Sequence, residues 1–318
     1  MRFQELYDYI VNQGKKQDPR GVKAVDNLLT RTNERFQKMD KEAKEAFDKD
    51  RLINPYADTR MLSGNPQTEI NTVMVGIDID VQELVLADRL KQKGEKVDLV
   101  IAHHPSGRAY ANFYEVMGMQ ADILAQFGVP INVAEQMLQP RMKEVEKRVM
   151  PSNHMRAVDA AKLLDIPFMC AHTVADNHVA TYLQSILDKN KDMYVEDILK
   201  LIKDIPEYKE ASRNNNPPKI LLGKESNRAG KVFVDMTGGT EGPQDIFEKM
   251  AVAGIGTLVC MHLSEKHAEN AERAHLNVII AGHISSDNLG LNLLFDSVVK
   301  KFGNLKFIES SGFRRFKH

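Results

Sequence analysis

The sequence has only two cysteines, almost no net charge and no long apolar run. Cys170 and Cys260 lie far apart without CxxC spacing, which argues against a disulfide framework and a cysteine metal knuckle. A net charge of -1 over 318 residues gives no overall attraction to nucleic acid or anionic membranes. No apolar run reaches the roughly 18 residues of a membrane span, and Met1–Tyr7 lacks a signal-peptide core. We therefore expect a globular, cytoplasmic protein.

Residues 1–65 differ from the rest of the chain because they are charged and favour helix. Apolar residues at helical spacing predict a first amphipathic helix before the turn at Asp18–Gly21 and a second helix from Val22. The pattern predicts an N-terminal helical hairpin outside the main core, and an oligomerisation arm is the alternative.

From Ile70 the pattern changes to alternating strands and helices, which is typical of βαβ units. The first run predicts strands at 72–78, 97–102, 129–133 and 166–171. After a linker expected at 208–218, a second run predicts strands at 232–235, 256–262 and 276–281.

The two runs resemble each other. In each, an apolar strand ends at an aspartate, Asp78 or Asp235, and the next strand ends at a histidine, His103 or His262. This repeat favours an internal duplication, although any two βαβ units share some of the pattern. We therefore predict an α/β fold of duplicated βαβ-type layers with an N-terminal helical hairpin. The expected domains are 1–65 and 66–318, the latter with two similar halves at 66–207 and 219–318.

Polar residues of metal-ligand type follow three of the predicted strands. His103 and His104 precede Pro105, Asp176 lies shortly after the strand at 166–171, and His283 and Asp287 follow the last strand. Because parallel strands bring their carboxyl ends to one edge, these groups are expected to meet there. Five nitrogen and oxygen ligands are the number that two divalent ions commonly need.

Each of these residues also has a structural interpretation. His103 and His104 could be polar strand ends, and Asp176 and Asp287 could be helix N-caps. His172 and His262 are expected to line the site or to support its ligands. The loop Gly238–Gly242 is expected to form a tight turn, with phosphate binding as the alternative. We find no nucleophile elbow in the sequence, which favours metal-activated water as the nucleophile.

The segments Asp98–Pro105, His172–Asp176 and Ala281–Asp287 resemble the motifs of a known dinuclear-metal family. This is the GTP cyclohydrolase I type 2-like family, also called NGG-interacting-factor-three-like, or NIF3-like. The resemblance covers roughly residues 68–318. It implies five metal ligands, and these are His103, His104, Asp176, His283 and Asp287.

Two features differ from the family pattern. The final acid is usually glutamate, and the segment between His104 and Asp176 is longer than in compact members. We expect the shorter Asp287 to leave one ion more weakly bound. His104 and Asp176 would hold the firmer ion, and His103 and His283 the looser one.

The resemblance implies a hydrolase with two divalent ions of the Zn, Fe or Mn type and a small-molecule substrate, possibly a nucleotide or purine. It equally implies an alternative, a metal-binding regulatory or metal-handling protein that acts through protein partners. Because family members form toroidal assemblies, it further implies a homo-oligomer, possibly a hexameric ring.

Overall fold

The computed structural model describes residues 1–190 and 192–318. Its strands are β1 (Arg60–Ser63), β2 (Thr72–Gly76), β3 (Leu99–Ala102), β4 (Phe168–Cys170), β5 (Lys219–Leu222), β6 (Lys231–Asp235), β7 (Ile255–Cys260), β8 (Asn277–Ile280) and β9 (Lys306–Glu309). Its helices are α1 (Phe3–Lys16), α2 (Val22–Lys38), α3 (Lys41–Ala46), α4 (Val81–Gln92), α5 (Gly107–Ala111), α6 (Met119–Gln126), α7 (Ile131–Val149), α8 (Arg156–Leu163), α9 (Thr173–Asp188), α10 (Val195–Lys203), α11 (Pro206–Arg213), α12 (Phe247–Val252), α13 (Glu265–Arg273) and α14 (His283–Phe302). Short 3-10 helices cover Lys49–Leu52 and Phe113–Gly118.

The strands form two sheets with the same internal order. The first sheet runs β1-β4-β3-β2-β9, and the second runs β5-β8-β7-β6. In each, three successive strands are parallel, and an antiparallel strand, β1 or β5, pairs with the last of them. The first sheet gains β9, which is parallel to β2. The predicted α/β fold of duplicated layers is confirmed.

Burial on both faces explains why the central strands are continuously apolar. Every residue of β2 and β3 is buried, as expected for parallel strands that are covered on both sides. The helix after β2 begins at a capping box in which Asp80 and Glu83 exchange hydrogen bonds with the backbone. The local sequence therefore fixes both the strand and the turn that follows it.

The helices α9 and α14 pack against each other and contact both sheets. Val174 and Leu291 belong to the apolar core of the first sheet, whereas Val179 and Leu289 belong to that of the second. Because α9 follows β4 and α14 follows β8, their first turns lie at the carboxyl ends of the two sheets. This arrangement brings residues from both halves to one place.

The N-terminal stretch contributes directly to the first sheet. Phe3, Leu6 and Ile10 of α1 are fully buried in the same core as β2 and β3, and β1 pairs with β4. In α2, by contrast, only Val25 is buried. The domain boundary at residue 65 stays a prediction.

Two local predictions are wrong. Residues 129–133 are not a strand, because Pro130 caps α7 and the helix begins at Ile131. Residues 208–218 are not wholly a linker, since α11 extends to Arg213. Within the described residues, no helix is both long and apolar enough to cross a membrane.

Candidate metal centre

The candidate ligands lie at the carboxyl ends of three strands. His103 and His104 directly follow β3, Asp176 lies in the first turn of α9 after β4, and His283 begins α14 after β8. Gly282 has a φ of 108°, a conformation that a side chain would strain, so glycine permits the turn from β8 into α14. One helical turn further on, Asp287 faces the same point.

The five predicted residues converge around the carboxylate of Asp287. His103 Nε2 lies 3.3 Å from Asp176 Oδ1 and 3.4 Å from Asp287 Oδ1. The other oxygen, Asp287 Oδ2, lies 3.5 Å from His104 Nε2 and 3.6 Å from His283 Nε2. One oxygen of the Asp287 carboxylate therefore faces His103, and the other faces His104 and His283.

These contacts define two sets of candidate ligands. One set contains His103, Asp176 and Asp287, the other contains His104, His283 and Asp287, and within each set the ligand atoms lie within 4.8 Å of one another. The sequence-based pairing of His104 with Asp176 and of His103 with His283 differs from this grouping. Both histidines contact Asp287, but His103 also lies against Asp176, whereas the ring of His104 lies against that of His283.

Three of the histidine rings are held from outside the cluster. His103 Nδ1 is 3.2 Å from the Ala171 carbonyl, His104 Nδ1 is 2.7 Å from Asp78, and His172 Nδ1 is 2.8 Å from Asp58. Carbonyl and carboxylate partners of this kind fix the tautomer of metal-binding histidines. In each of these rings, Nδ1 is engaged and Nε2 remains available to bind a metal ion.

Several atoms at the middle of the cluster lack hydrogen-bond partners. They are His103 Nε2 and both carboxylate oxygens of Asp287, on side chains that are each 1% exposed. An unpartnered buried carboxylate is costly, and a cation coordinated by these atoms would satisfy it. The residues present therefore fit a metal ion.

Electrostatic coupling within the cluster is strong. Burial alone would raise the pKa of Asp287, but the neighbouring histidines, led by His103, hold that pKa well below its usual range. Burial alone would lower the pKa of His103, but Asp287 and Asp176 raise it well above the ordinary value. Protons and a metal ion therefore compete for the same imidazole nitrogen.

His172 lies closer to the cluster than the sequence indicated. Its ring centre is 4.7 Å from that of His103, and its candidate ligand atom groups with those of His103 and His104. The sequence contains a pattern that indicates this position, because His172 and Asp176 have the same spacing as His283 and Asp287.

Asp58, which orients His172, was missed by sequence reasoning. It lies in the loop before β1, is fully buried, and also accepts a hydrogen bond of 2.6 Å from Thr173 Oγ1. Burial would raise the pKa of Asp58, but its contacts with His172 and Thr173 lower it. No local pattern marks this aspartate, since only the tertiary fold brings it to His172.

His262 stands apart from the three groups of candidate ligands. Its ring centre is 4.9 Å from that of His283, but its Nδ1 lies 3.3 Å from Glu241 Oε1. This histidine belongs to the wall of a cavity of about 460 Å³ that opens beside the cluster. The size is within the usual range of small-molecule sites, roughly 300–1,000 Å³.

Comparison with solved structures finds proteins of similar fold. A NIF3 superfamily protein from Sphaerobacter thermophilus is 28% identical, with a TM-score of 0.67, over 80% of this chain and 91% of that chain. Reduced HcgD from Methanocaldococcus jannaschii is 16% identical over 84% of this chain and 96% of its own, with a TM-score of 0.45. No family model and no curated protein matches the sequence.

The fold and site together define a class, an α/β protein of two similar sheets with buried histidines and aspartates that could hold metal. Within this class, the similarity to the Sphaerobacter thermophilus protein agrees with the sequence motifs. In fold and in these motifs, the chain is similar to proteins of the NIF3 superfamily.

Proposed function

We propose that this protein is a metal-dependent hydrolase that holds two divalent ions. The observation that carries the proposal is the unpartnered carboxylate of Asp287, which is shared by two sets of candidate ligands. A carboxylate placed between two ions is a recurrent feature of dinuclear hydrolytic sites. The mixture of imidazole and carboxylate suits Zn, Fe or Mn.

Each residue has a defined role in this proposal. His103 and Asp176 hold one ion, His104 and His283 hold the other, and Asp287 serves both. Asp78 and the Ala171 carbonyl fix the His104 and His103 rings. When bound, such ions supply Lewis acidity and a water that is activated near neutral pH.

The second ion is expected to bind more weakly than the first. The side chains of His104 and His283 are 25% and 41% exposed, whereas His103 and Asp176 are almost fully buried. Exposed ligands are less rigidly held and face competition from water. Compared with the sequence-based expectation, His103 and His104 change places, whereas Asp176 stays with the firmer ion and His283 with the looser one.

Water is the nucleophile that we favour. Cys260 also lines the cavity, but burial raises the pKa of its thiol well above the ordinary value, so the thiol stays protonated. A hydrolytic reaction then needs only a substrate in the cavity beside the ions.

Metal content tests the centre. We expect elemental analysis and calorimetric titration of metal-depleted protein to give two ions per chain. The double variant His104→Ala/His283→Ala should lose the weaker ion and keep the fold, and Asp287→Asn should weaken both. His262→Ala is the matched control, because it removes a neighbouring histidine outside the ligand sets. Unchanged metal content in both test variants would overturn the assignment.

Turnover tests the hydrolase part. Metal-loaded protein should convert a member of a broad panel of metabolites, and activity should vanish on chelation and return on reloading. If loaded protein turns over nothing but metal content controls assembly state, the metal-handling alternative through a homo-oligomeric ring replaces the hydrolase.

A further inference from the structure

The cavity wall beyond the candidate ligands has a large apolar part. Tyr110 and Phe113 are stacked there, with ring centres 5.6 Å apart and planes inclined by 24°. Phe233, Phe247 and Leu124 extend the same wall. Such a surface favours a flat apolar or aromatic group, because both faces of a ring can be removed from water.

The polar part of the wall combines carboxylates with histidines. Asp78, Asp235 and Glu241 line the cavity in addition to the two candidate ligand aspartates, and none of its lining residues in the described chain is lysine or arginine. Two divalent ions would bring four positive charges against these five carboxylates, so ions and carboxylates together leave no excess of positive charge for an anionic tail.

Glu241 lies outside the ligand sets. It contacts His262, whose ring lies against that of His283. Burial would raise the pKa of Glu241, but His262, His267 and the Ser264 amide lower it to about 2, so the carboxylate is ionised. Arg141 lies nearby, but it binds the Glu241 carbonyl and the carboxylate of Glu144.

The glycine loop beside this wall is built as a turn. Gly238 and Gly239 have φ values of 95° and 86°, and Gln120 Nε2 donates to the carbonyls of Gly238 and Thr240. The next residue is Glu241. Its carboxylate accepts a hydrogen bond from the Ser264 amide and lies against His262 and His267, so these groups are already engaged where a phosphate would need positive partners.

We propose that the cavity takes a small molecule with a metal-binding head and a flat, apolar body that is uncharged or cationic at its far end. This inference rests on the proposed metal centre. A nucleoside triphosphate attacked at its base would direct several negative charges towards Glu241 without a lysine or arginine to receive them. On this proposal, the ligand differs from the GTP that the family label implies.

A series of hydroxamic acids tests the proposal on the full-length, metal-loaded protein, with affinity measured by calorimetry. Acetohydroxamic acid reports the metal centre alone, and benzohydroxamic acid adds the ring. We expect the ring to improve affinity by about tenfold or more, as burial of its apolar surface predicts. A 4-aminomethyl group should be tolerated, whereas a 4-phosphono group should weaken binding by about tenfold or more.

The Glu241→Gln variant tests the source of the charge preference. It should bring the ratio of affinities for the cationic and anionic probes towards one, and Glu248→Gln, an exposed glutamate on α12, should leave that ratio as in the parent. Equal binding of both charged probes by the parent protein, or no gain from the ring, would overturn the ligand class alone. Failure of acetohydroxamic acid to bind loaded protein would overturn the metal centre and the inference with it.

Discussion

At the scale of single residues, Asp58 decides whether His172 can serve the centre. His172 is not one of the five ligands proposed above, but its candidate ligand atom groups with those of His103 and His104. We expect Asp58→Asn to weaken metal affinity by about 10- to 100-fold, because a neutral amide accepts the Nδ1 hydrogen bond less strongly and holds the ring less firmly. Competition with a chromophoric chelator would measure this loss. In a His172→Ala background, the same substitution should have little further effect. An equal loss in both backgrounds would mean that Asp58 acts on the fold and not through His172.

Asp235 should make stability depend on pH. Burial in the cavity wall, together with the charge of Glu241, raises its pKa to about 6. Between the unfolded value of about 3.9 and this value, the folded state binds more protons than the unfolded state. The free energy of unfolding contributed by this group therefore falls as pH rises through that window.

The Asp235→Asn variant should remove this penalty. We expect metal-free Asp235→Asn protein to be more stable than the parent by about 1–3 kcal/mol at pH 8, the range allowing for partial exposure to the cavity, and to differ little near pH 4. Denaturant unfolding at both pH values measures the difference. Asp159→Asn, at an exposed aspartate on α8, should show no such trend. A difference that is the same at both pH values would contradict the assignment.

The sequence could predict ligand types but not their supports. His103, His104, Asp176, His283 and Asp287 follow apolar strands, so topology alone brings them near each other. The partners of their outer nitrogens come from other elements, and no local spacing encodes these contacts. The pairing of the two sets was also beyond reach, since it depends on which side of the chain each histidine faces.

At the scale of elements, close contact between α9 and α14 sets the geometry of the centre. A Cβ atom added at Gly290 would lie 2.4 Å from the Ala175 carbonyl oxygen, and that backbone atom cannot move without displacing α9. Asp287 lies on the preceding turn of α14, and Asp176 follows Ala175 directly. The glycine therefore fixes the separation of two candidate ligands.

We expect Gly290→Ala to lower stability by about 2–4 kcal/mol and also to weaken metal binding, because the helices must separate. Thermal unfolding and metal titration measure the two effects. Gly118→Ala is the matched control, since nothing lies within 4 Å of its added Cβ and its φ is not positive. Normal metal affinity in a destabilised Gly290→Ala protein would show that the centre tolerates this separation.

Among the elements, the buried strands were predictable and α7 was not. A short, continuous apolar run such as β3 is typical of a strand that is covered on both faces. In α7 the buried positions follow a helical period, but Arg141 is one of them and Pro140 lies inside the helix. Both features hide the helical period of the apolar residues. The short β-branched run at 129–133, which includes the first turn of α7, then dominates a local prediction.

At the scale of the whole molecule, the N-terminal stretch is less separate than its composition indicates. Its helices differ in burial, since α2 buries only Val25 and α3 has no buried residue. The apolar face of α1 instead enters the core of the first sheet, and Asp58 reaches His172 from the loop that follows. Composition averages these parts together, so it cannot separate a core helix from an exposed one.

Two leucine substitutions can distinguish the buried helix α1 from the exposed helix α2. Leu6→Ala should lower the free energy of unfolding by about 2–5 kcal/mol, because the fully buried side chain leaves a cavity against the first sheet. Leu28→Ala on α2, where the side chain is 39% exposed, should change it by less than about 0.5 kcal/mol. Chemical denaturation of both variants gives the comparison. If Leu6→Ala were as mild as Leu28→Ala, or produced a separate early transition, α1 would fold independently of the sheet and the boundary at residue 65 would gain support.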